Sequence, residues 1–141
     1  MTENKQNITP KTIGAFEKVS FPKFGIHDVM AKIDTGAYTG ALHATNIHEA
    51  ADKGKIVLNF SPFDHPTTVF TSVDFYVKHV KSSNGQREKR YVINTEIIIA
   101  GKTYPIILTL ADRSEMKWPV LIGRRFMRTH NLLVDVTKIN K

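Results

Sequence analysis

The sequence predicts an all-β single domain, a closed or nearly closed barrel with a short C-terminal helix. Three observations support this class: apolar and polar residues alternate in several segments, an Asn-Gly dipeptide separates two of them, and a continuous apolar run precedes a short helical segment. No repeat, linker or low-complexity tract divides the chain. Residues 13–141 are therefore expected to form one domain.

The first half of the chain contains two strand predictions. Alternation over residues 29–34 predicts a strand that places Asp34 at its end. The apolar run Ile56 to Phe60 is typical of a short buried strand. Segment 37–51 is the other helix candidate, although its helical signal is weak.

The middle of the chain is predicted to form a long β-hairpin over residues 67–99. Alternating residues from Val69 to Val77 form one face of its first strand, and those from Tyr91 to Ile99 form one face of its second. Asn84-Gly85 lies between them and favours the positive φ angles of a type I′ turn.

The last third of the chain is expected to alternate strands with one helix. After a turn at 100–102, residues 104–110 again alternate with period two. Val120 to Ile122 is continuously apolar, as in a strand that is buried on both faces. One or two helical turns are expected within 124–130, and a final strand within 132–136.

Composition excludes several kinds of site. The 141 residues contain no cysteine, which removes disulfides, thiolate zinc sites and cysteine nucleophiles. No apolar run reaches the roughly 18 residues of a membrane span. Residues 1–12 lack the apolar region of a signal peptide, so we expect a mobile tail and a cytoplasmic protein. The net charge of +7 suits an acidic partner and equally serves solubility.

One carboxylate stands in a sequence context that has a known chemistry. Asp34 follows the predicted strand and precedes Thr35, Gly36 and Ala37. Small residues after the acid allow a sharp turn and the close approach of a substrate or a second chain. The tripeptide alone also fits an ordinary turn at the end of a strand, so the wider pattern decides between these interpretations.

The order of motifs resembles that of the retropepsin family of aspartic peptidases. Asp34 to Ala37 comes first, Asn84-Gly85 lies where the retropepsin flap would lie, and Leu121 to Arg124 precedes a short helix. The loop 115–120 corresponds to the loop that lines a substrate pocket. The resemblance implies a retropepsin-like barrel.

A bacterial subgroup, usually labelled ATP-dependent zinc proteases and often encoded beside ATP-grasp amino-acid ligases, is more similar still. Its pattern matches at Ala31 to Ala37, Ala41 to Ala44, Asp112 to Ser114 and Pro119 to Phe126. The resemblance implies peptide hydrolysis, with Asp34 as the catalytic carboxylate and no cofactor of its own. The resemblance also implies an ATP-grasp ligase as partner. The chain itself lacks a phosphate-binding Gly-x-x-x-x-Gly-Lys-Ser/Thr motif, so any ATP dependence would have to come from a partner.

The resemblance also implies which residues surround a substrate. Asn84 and Gly85 would cap the site as a flap, and Arg113 and Arg124 would lie along the cleft. Trp118 would either line the pocket or pack in the core.

Two positions depart from the family pattern. Gly40 stands where a serine is expected. Tyr38 and Thr39 occupy the stretch in which viral retropepsins carry a carboxylate that pairs with the arginine after the second glycine. Arg124 is therefore expected to bind substrate or another acid.

A homodimer is the simplest way to complete the site. An activated-water mechanism needs one carboxylate as base and a second as acid. The chain contains one Asp-Thr-Gly and no Asp-Ser-Gly, so it cannot build a pepsin-like pair within one subunit. A two-fold axis would bring Asp34 of each subunit together.

A zinc hydrolase is an alternative, with His43, Asp34 and Asp112 as scattered ligands. The sequence contains no His-Glu-x-x-His, and His43 and His48 are not at the i, i+4 spacing of helical zinc ligands. His43 also fits a hydrogen-bonded packing residue. The sequence therefore does not favour a metal site.

Two non-catalytic alternatives stay open. One is a nucleic-acid module that uses the basic and aromatic residues of the hairpin, although no RNP, KH or zinc-finger pattern is present. The other is a retropepsin-like domain that only binds peptides or a ligase. For the peptidase, the resemblance implies ligase neighbours that add amino acids such as glutamate. Five basic residues in 78–90 against one acid, together with Arg113, Lys117, Arg124 and Arg125, favour acidic peptides, so we expect a preference for glutamate-rich ones. The alternative is that these side chains face solvent away from the cleft.

Overall fold

The structure is a computed structural model that describes residues 9–63, 68–81, 84–112 and 118–140. These ranges contain ten strands, one 3₁₀ turn and one helix. In chain order the elements are β1 Lys11–Phe21, the 3₁₀ turn Pro22–Phe24, β2 Ile26–Ile33, β3 Gly40–Asp52, β4 Lys55–Pro62, β5 Phe70–Ser72, β6 Phe75–Lys81, β7 Arg87–Ile99, β8 Lys102–Ala111, β9 Val120–Ile122, α1 Arg124–Thr129 and β10 Leu132–Asn140.

Six strands close into a barrel in the order β1, β2, β9, β3, β8, β7 and back to β1. The closing contact is a short antiparallel pairing of Val19 with Ile99 and Ser20 with Ile98. Two pairings, β2 with β9 and β3 with β8, are parallel, and the others are antiparallel. The closed barrel predicted from the sequence is confirmed.

Four strands extend the barrel. β10 runs parallel to the first half of β1, and Asn140 Nδ2 donates to Glu17 Oε2 at 2.5 Å. The second half of β3 leaves the barrel and pairs with β4, which pairs with β5. β6 continues the sheet beyond β7. No helix in the described part of the chain is both long and apolar enough to cross a membrane.

The alternating residues of the barrel strands form the core. Ile93, Ile97 and Ile99 are buried along β7, and Leu108 of β8 and Ile122 of β9 are fully buried. All three residues of β9 are buried, as the continuous apolar run predicted. The core therefore encloses β9, the strand that lies directly against the end of β2.

The predicted single strand over residues 69–77 is wrong. Two strands replace it, since β5 pairs with β4 whereas β6 pairs with β7. The chain bends between them, and Asp74 accepts hydrogen bonds from the Asn94 backbone at 3.0 Å and side chain at 2.8 Å. Val73 is 73% exposed and does not share a buried face with Phe75. Period two persists across the bend, so alternation alone could not reveal it.

The helix candidate at 37–51 is also wrong, because 40–52 forms β3. Residues 40–44 are all buried between β8 and β9, which occupy both edges of this part of the strand. Pairing with distant strands thus outweighs a weak local helical signal. β1 begins at Lys11, two residues before the predicted domain boundary.

Candidate active site

Asp34 lies at the end of β2, where β2 and β9 run side by side. Ile33 pairs with Ile122, and the Asp34 amide donates to the Ile122 carbonyl at 2.8 Å. Ala31 and Ile33 are buried, while Asp34 is half-buried and Thr35 is exposed. The buried strand therefore fixes the backbone of Asp34 and presents its carboxylate at the barrel surface.

A tight turn orients the carboxylate. The Ala37 amide donates to the Asp34 carbonyl at 3.1 Å, and the Gly36 amide donates to Asp34 Oδ1 at 3.1 Å. A Cβ at position 36 would lie 3.2 Å from the same oxygen. Glycine at this position therefore leaves the space beside that oxygen open. That a substrate backbone approaches there stays a prediction.

The segment after the turn crosses the start of α1 at very short range. The Arg124 amide donates to the Ala37 carbonyl at 2.8 Å, and the Arg125 amide donates to the Tyr38 carbonyl at 3.0 Å. A Cβ at Gly40 would lie 2.2 Å from the Leu121 carbonyl oxygen. A Cβ at Gly123 would lie 2.4 Å from the carbonyl oxygen of Tyr38.

Both crossing positions thus require glycine, and the serine expected at position 40 would not fit. Sequence reasoning missed this close approach of the backbones at Gly40 and Gly123. The available signal was a glycine in each of the two motifs. The reason for both glycines, the close backbone contact, appears only when the fold brings the two segments together.

The Arg124 side chain supports the Asp34 loop. Its Nη1 donates to the carbonyl oxygens of Thr35 at 3.3 Å and Gly36 at 3.1 Å. Its guanidinium carbon lies 5.4 Å from the centre of the Tyr38 ring. Backbone carbonyls and an aromatic face therefore occupy the place of the carboxylate partner found in viral retropepsins. Whether Arg124 also contacts substrate stays a prediction.

The other residues that the sequence predicts to bind substrate lie outside the Asp34 loop. Asn84 and Gly85 form the exposed tip of the β6–β7 hairpin, where Asn84 Oδ1 accepts from the Gln86 amide at 3.1 Å. Gly85 has a φ of 87°, as a tight turn requires. Trp118 is half-buried and packs on Phe16 of β1, with ring centres 4.5 Å apart. Arg113 lies outside the described residues.

The proposed zinc ligands do not form a metal site in the described ranges. Those ranges hold no group of three His, Cys, Asp or Glu that could bind a metal ion. His43 is buried in β3, and its Nδ1 lies 3.8 Å from Oδ1 of the exposed Asp112. A buried imidazole next to a single carboxylate fits the packing role expected for His43.

Part of the basic charge of the hairpin is paired. Glu49 Oε2 of β3 accepts from Tyr91 Oη at 2.8 Å and from Lys89 Nζ at 3.1 Å. These hydrogen bonds, that from Tyr91 above all, hold the pKa of Glu49 below its usual 4.5. Arg90 pairs with Glu88 at 3.1 Å. Fewer cations are therefore available to an acidic ligand than the sequence alone suggested.

Comparisons with known proteins agree with this architecture. A family model described as the RimB-like retropepsin-like aspartic endopeptidases matches residues 12–140. A solved structure of a Legionella pneumophila protein of unknown function superposes with a TM-score of 0.75 at 30% identity, covering 94% of this chain and 98% of that one.

Two curated relatives are named as probable alpha-L-glutamate ligases. One, from Shewanella pealeana, is 34% identical over 128 residues, which are 87% of this chain and 28% of the relative. The other, from Desulfotalea psychrophila, is 35% identical over 135 residues, which are 92% of this chain and 29% of the relative. The chain thus spans under a third of the length of these relatives. The family match over nearly the whole chain, together with the Asp34 loop in a closed barrel, shows that the chain belongs to the RimB-like retropepsin-like family.

Proposed function

We propose that the protein is an aspartic peptidase that hydrolyses peptide bonds with water activated between the Asp34 carboxylates of two subunits. The observation that supports this most directly is the Asp34 turn. The Ile122 carbonyl and the Gly36 amide hold the acid at the barrel surface, and the small residues after it leave room for a second subunit and a substrate.

The chemistry follows from the shared proton of such a pair. Two carboxyl groups about 3 Å apart cannot both ionise, so one is a base and the other an acid. The ionised Asp34 removes a proton from water while the water oxygen attacks the carbonyl carbon. The protonated Asp34 of the other subunit donates its proton to the carbonyl oxygen. The Asp34 that took the proton from water then protonates the amide nitrogen, while a hydroxyl group of the tetrahedral intermediate gives its proton to the other Asp34. Cleavage of the C–N bond releases the two peptides and leaves the pair with one shared proton again.

Asp34→Asn tests the catalytic role, because it keeps the shape of the side chain and removes the carboxylate. Turnover should fall by a factor of about 10² to 10⁴ or more, with the fold unchanged by circular dichroism. Asp28→Asn is the matched control, since Asp28 is an exposed carboxylate on the same strand. Asp28 has a φ of 57°, which asparagine also tolerates. Equal turnover by wild type and Asp34→Asn would contradict the proposal. Activity lost to a chelator and restored by zinc would instead support the zinc hydrolase.

Glutamate-rich peptides or protein tails are the proposed substrates. The curated relatives are named as glutamate ligases, and the segment similar to this chain makes up little more than a quarter of them. A peptidase in association with such a ligase would remove what the ligase adds. The excess of 20 basic over 13 acidic residues is consistent with attraction of an acidic chain.

The substrate proposal is tested with poly-glutamate, neutral and basic peptides at two salt concentrations. Cleavage of poly-glutamate should be fastest, and its advantage should shrink in 1 M salt, where charges are screened beyond about 3 Å. Lys78→Gln and Arg87→Gln should reduce that advantage. A preference for basic or neutral peptides would refute the substrate class while leaving the role of Asp34 intact.

A second candidate function is a non-catalytic partner domain of a glutamate ligase. The observation that favours it is that the segment similar to this chain is part of longer chains that are named as probable glutamate ligases. Binding of the protein to a purified ligase, without cleavage of any of the three peptides, would support this function. Loss of poly-glutamate cleavage in Asp34→Asn would favour the peptidase.

A further inference from the structure

A cavity of about 270 Å³ lies where three parts of the fold meet. Its walls are the segment 38–40 that follows the Asp34 turn, residues 94–95 of β7 with 105–107 of β8, and the side of α1 that carries Arg125. Asp34 does not line it. The cavity therefore does not contain the carboxylate of the proposed hydrolysis.

Two polar groups on its walls lack the partner they would normally have. Thr95 is 5% exposed, and its Oγ1 is buried without a hydrogen bond to any described residue. Buried hydroxyl groups are almost always hydrogen-bonded. Thr95 lines the cavity, so rotation of its side chain would turn this unpaired hydroxyl toward a bound molecule.

Arg125 is the second group. It is half-buried, its guanidinium carbon lies 5.8 Å from the centre of the Tyr38 ring, and no carboxylate of the described residues pairs with it. His130 also lines the cavity, but its Nε2 already contacts the Pro105 carbonyl at 3.0 Å. Arg125 is thus the cationic group on these walls that no carboxylate in the described part of the chain pairs with.

The rest of the wall is largely apolar, with Pro105, Ile106 and Phe126 on neighbouring sides. We infer that the cavity binds a carboxylate on a short aliphatic chain. Arg125 would take the carboxylate, to which a planar guanidinium donates two parallel hydrogen bonds. After rotation of its side chain, Thr95 Oγ1 would donate to one of its oxygens, and the apolar wall would pack against the methylene groups. Such a group is either a small free carboxylate or a glutamate side chain of a bound peptide.

Calorimetric titration with glutarate tests the site, with the uncharged glutaramide as matched ligand. The titrations use the Asp34→Asn protein, so that the result does not depend on hydrolysis. Glutarate should bind, and glutaramide should not. Arg125→Gln should weaken glutarate binding about tenfold or more, as expected for the loss of a hydrogen bond to a charged group. Arg128→Gln, an exposed arginine on the same helix, is the control and should bind glutarate unchanged.

Thr95→Val separates a binding role from a purely structural one. It should weaken glutarate binding, yet raise the melting temperature of the free protein, because it removes a buried hydroxyl that has no partner. A capped Ala-Glu-Ala peptide that displaces glutarate would assign the site to a peptide side chain, and failure to displace would assign it to a free carboxylate. Absence of glutarate binding, or equal binding by Arg125→Gln, would overturn the inference.

Discussion

At the scale of single residues, the site depends on two glycines that let the chain cross itself. Gly40 and Gly123 lie where the segment after the Asp34 turn meets the start of α1, and neither position has room for a Cβ. The amide of Arg124 can therefore reach the Ala37 carbonyl at 2.8 Å. The position of the Asp34 turn thus follows from backbone contact rather than from side-chain packing.

Gly40→Ala should lower the free energy of unfolding by about 1–3 kcal/mol, because the added methyl would lie 2.2 Å from a backbone oxygen that cannot move alone. Urea denaturation measures the change. Gly36→Ala is the comparison, since its methyl would meet only the Asp34 carboxylate, at 3.2 Å. We expect a smaller loss of stability there, together with reduced turnover. A Gly40→Ala protein as stable as wild type would show that the crossing can relax.

At the scale of secondary structure elements, one carboxylate links the long strands β3 and β7 outside the barrel. Glu49 of β3 accepts hydrogen bonds from Lys89 and Tyr91 of β7, beside the base of the hairpin that ends at Gly85. The link holds the hairpin against the β3–β4 arm. It also keeps Lys89 from acting as a free cation of the proposed flap.

NMR titration of the Glu49 carboxyl group should give a pKa below 4.5. The pKa should move back toward 4.5 in Tyr91→Phe and also in Lys89→Met, because the hydrogen bond from Tyr91, the largest cause, and that from Lys89 both lower it. Since the folded-state pKa is the lower one, the stabilisation is present above pH 4.5 and is lost as pH falls through the folded-state value. A stability deficit of Glu49→Gln that is equal at neutral and at strongly acidic pH would contradict this assignment.

At the scale of the whole molecule, closure of the six-stranded barrel gives one subunit a complete core but only one Asp-Thr-Gly turn. β1 meets β7 through two residue pairs, and this contact brings the last unpaired barrel edges together. The barrel is therefore complete within one subunit. The proposed chemistry is not, because it requires a carboxylate from a second subunit.

Mixing wild-type and Asp34→Asn subunits tests that requirement. After subunit exchange at equal amounts, only about a quarter of two-fold dimers contain two intact Asp34 residues, so activity should fall to roughly a quarter of that of the wild type at the same total concentration. A monomeric enzyme would keep about half. Sedimentation of the mixture checks that dimers are present. Retention of half the activity would refute the shared site.

Much of the local structure was predictable because its signals lie between neighbouring residues. Alternation located β2 and β8, and the apolar run located β9. The Asn-Gly dipeptide located the tip of the β6–β7 hairpin. The motif order predicted that residues after Ile33 and residues around Gly123 would meet, and they do. A strand period or a turn dipeptide is a property of a few adjacent side chains, so it can be read without the fold.

Tertiary structure decided whatever depends on partners distant in sequence. It made a strand of the weak helix candidate, because β8 pairs with one edge of it at 40–43 and β9 pairs with the other edge at 41–42. It divided the predicted strand at Val73, because the first half, β5, pairs with β4 and the second half, β6, pairs with β7. It directed Arg124 to the carbonyls of Thr35 and Gly36. The sequence by itself determined that Asp34 carries the carboxylate of the Asp-Thr-Gly turn and in which segments apolar and polar residues alternate. Only the fold determined what each of them contacts, because these contacts join strands that are far apart in the chain.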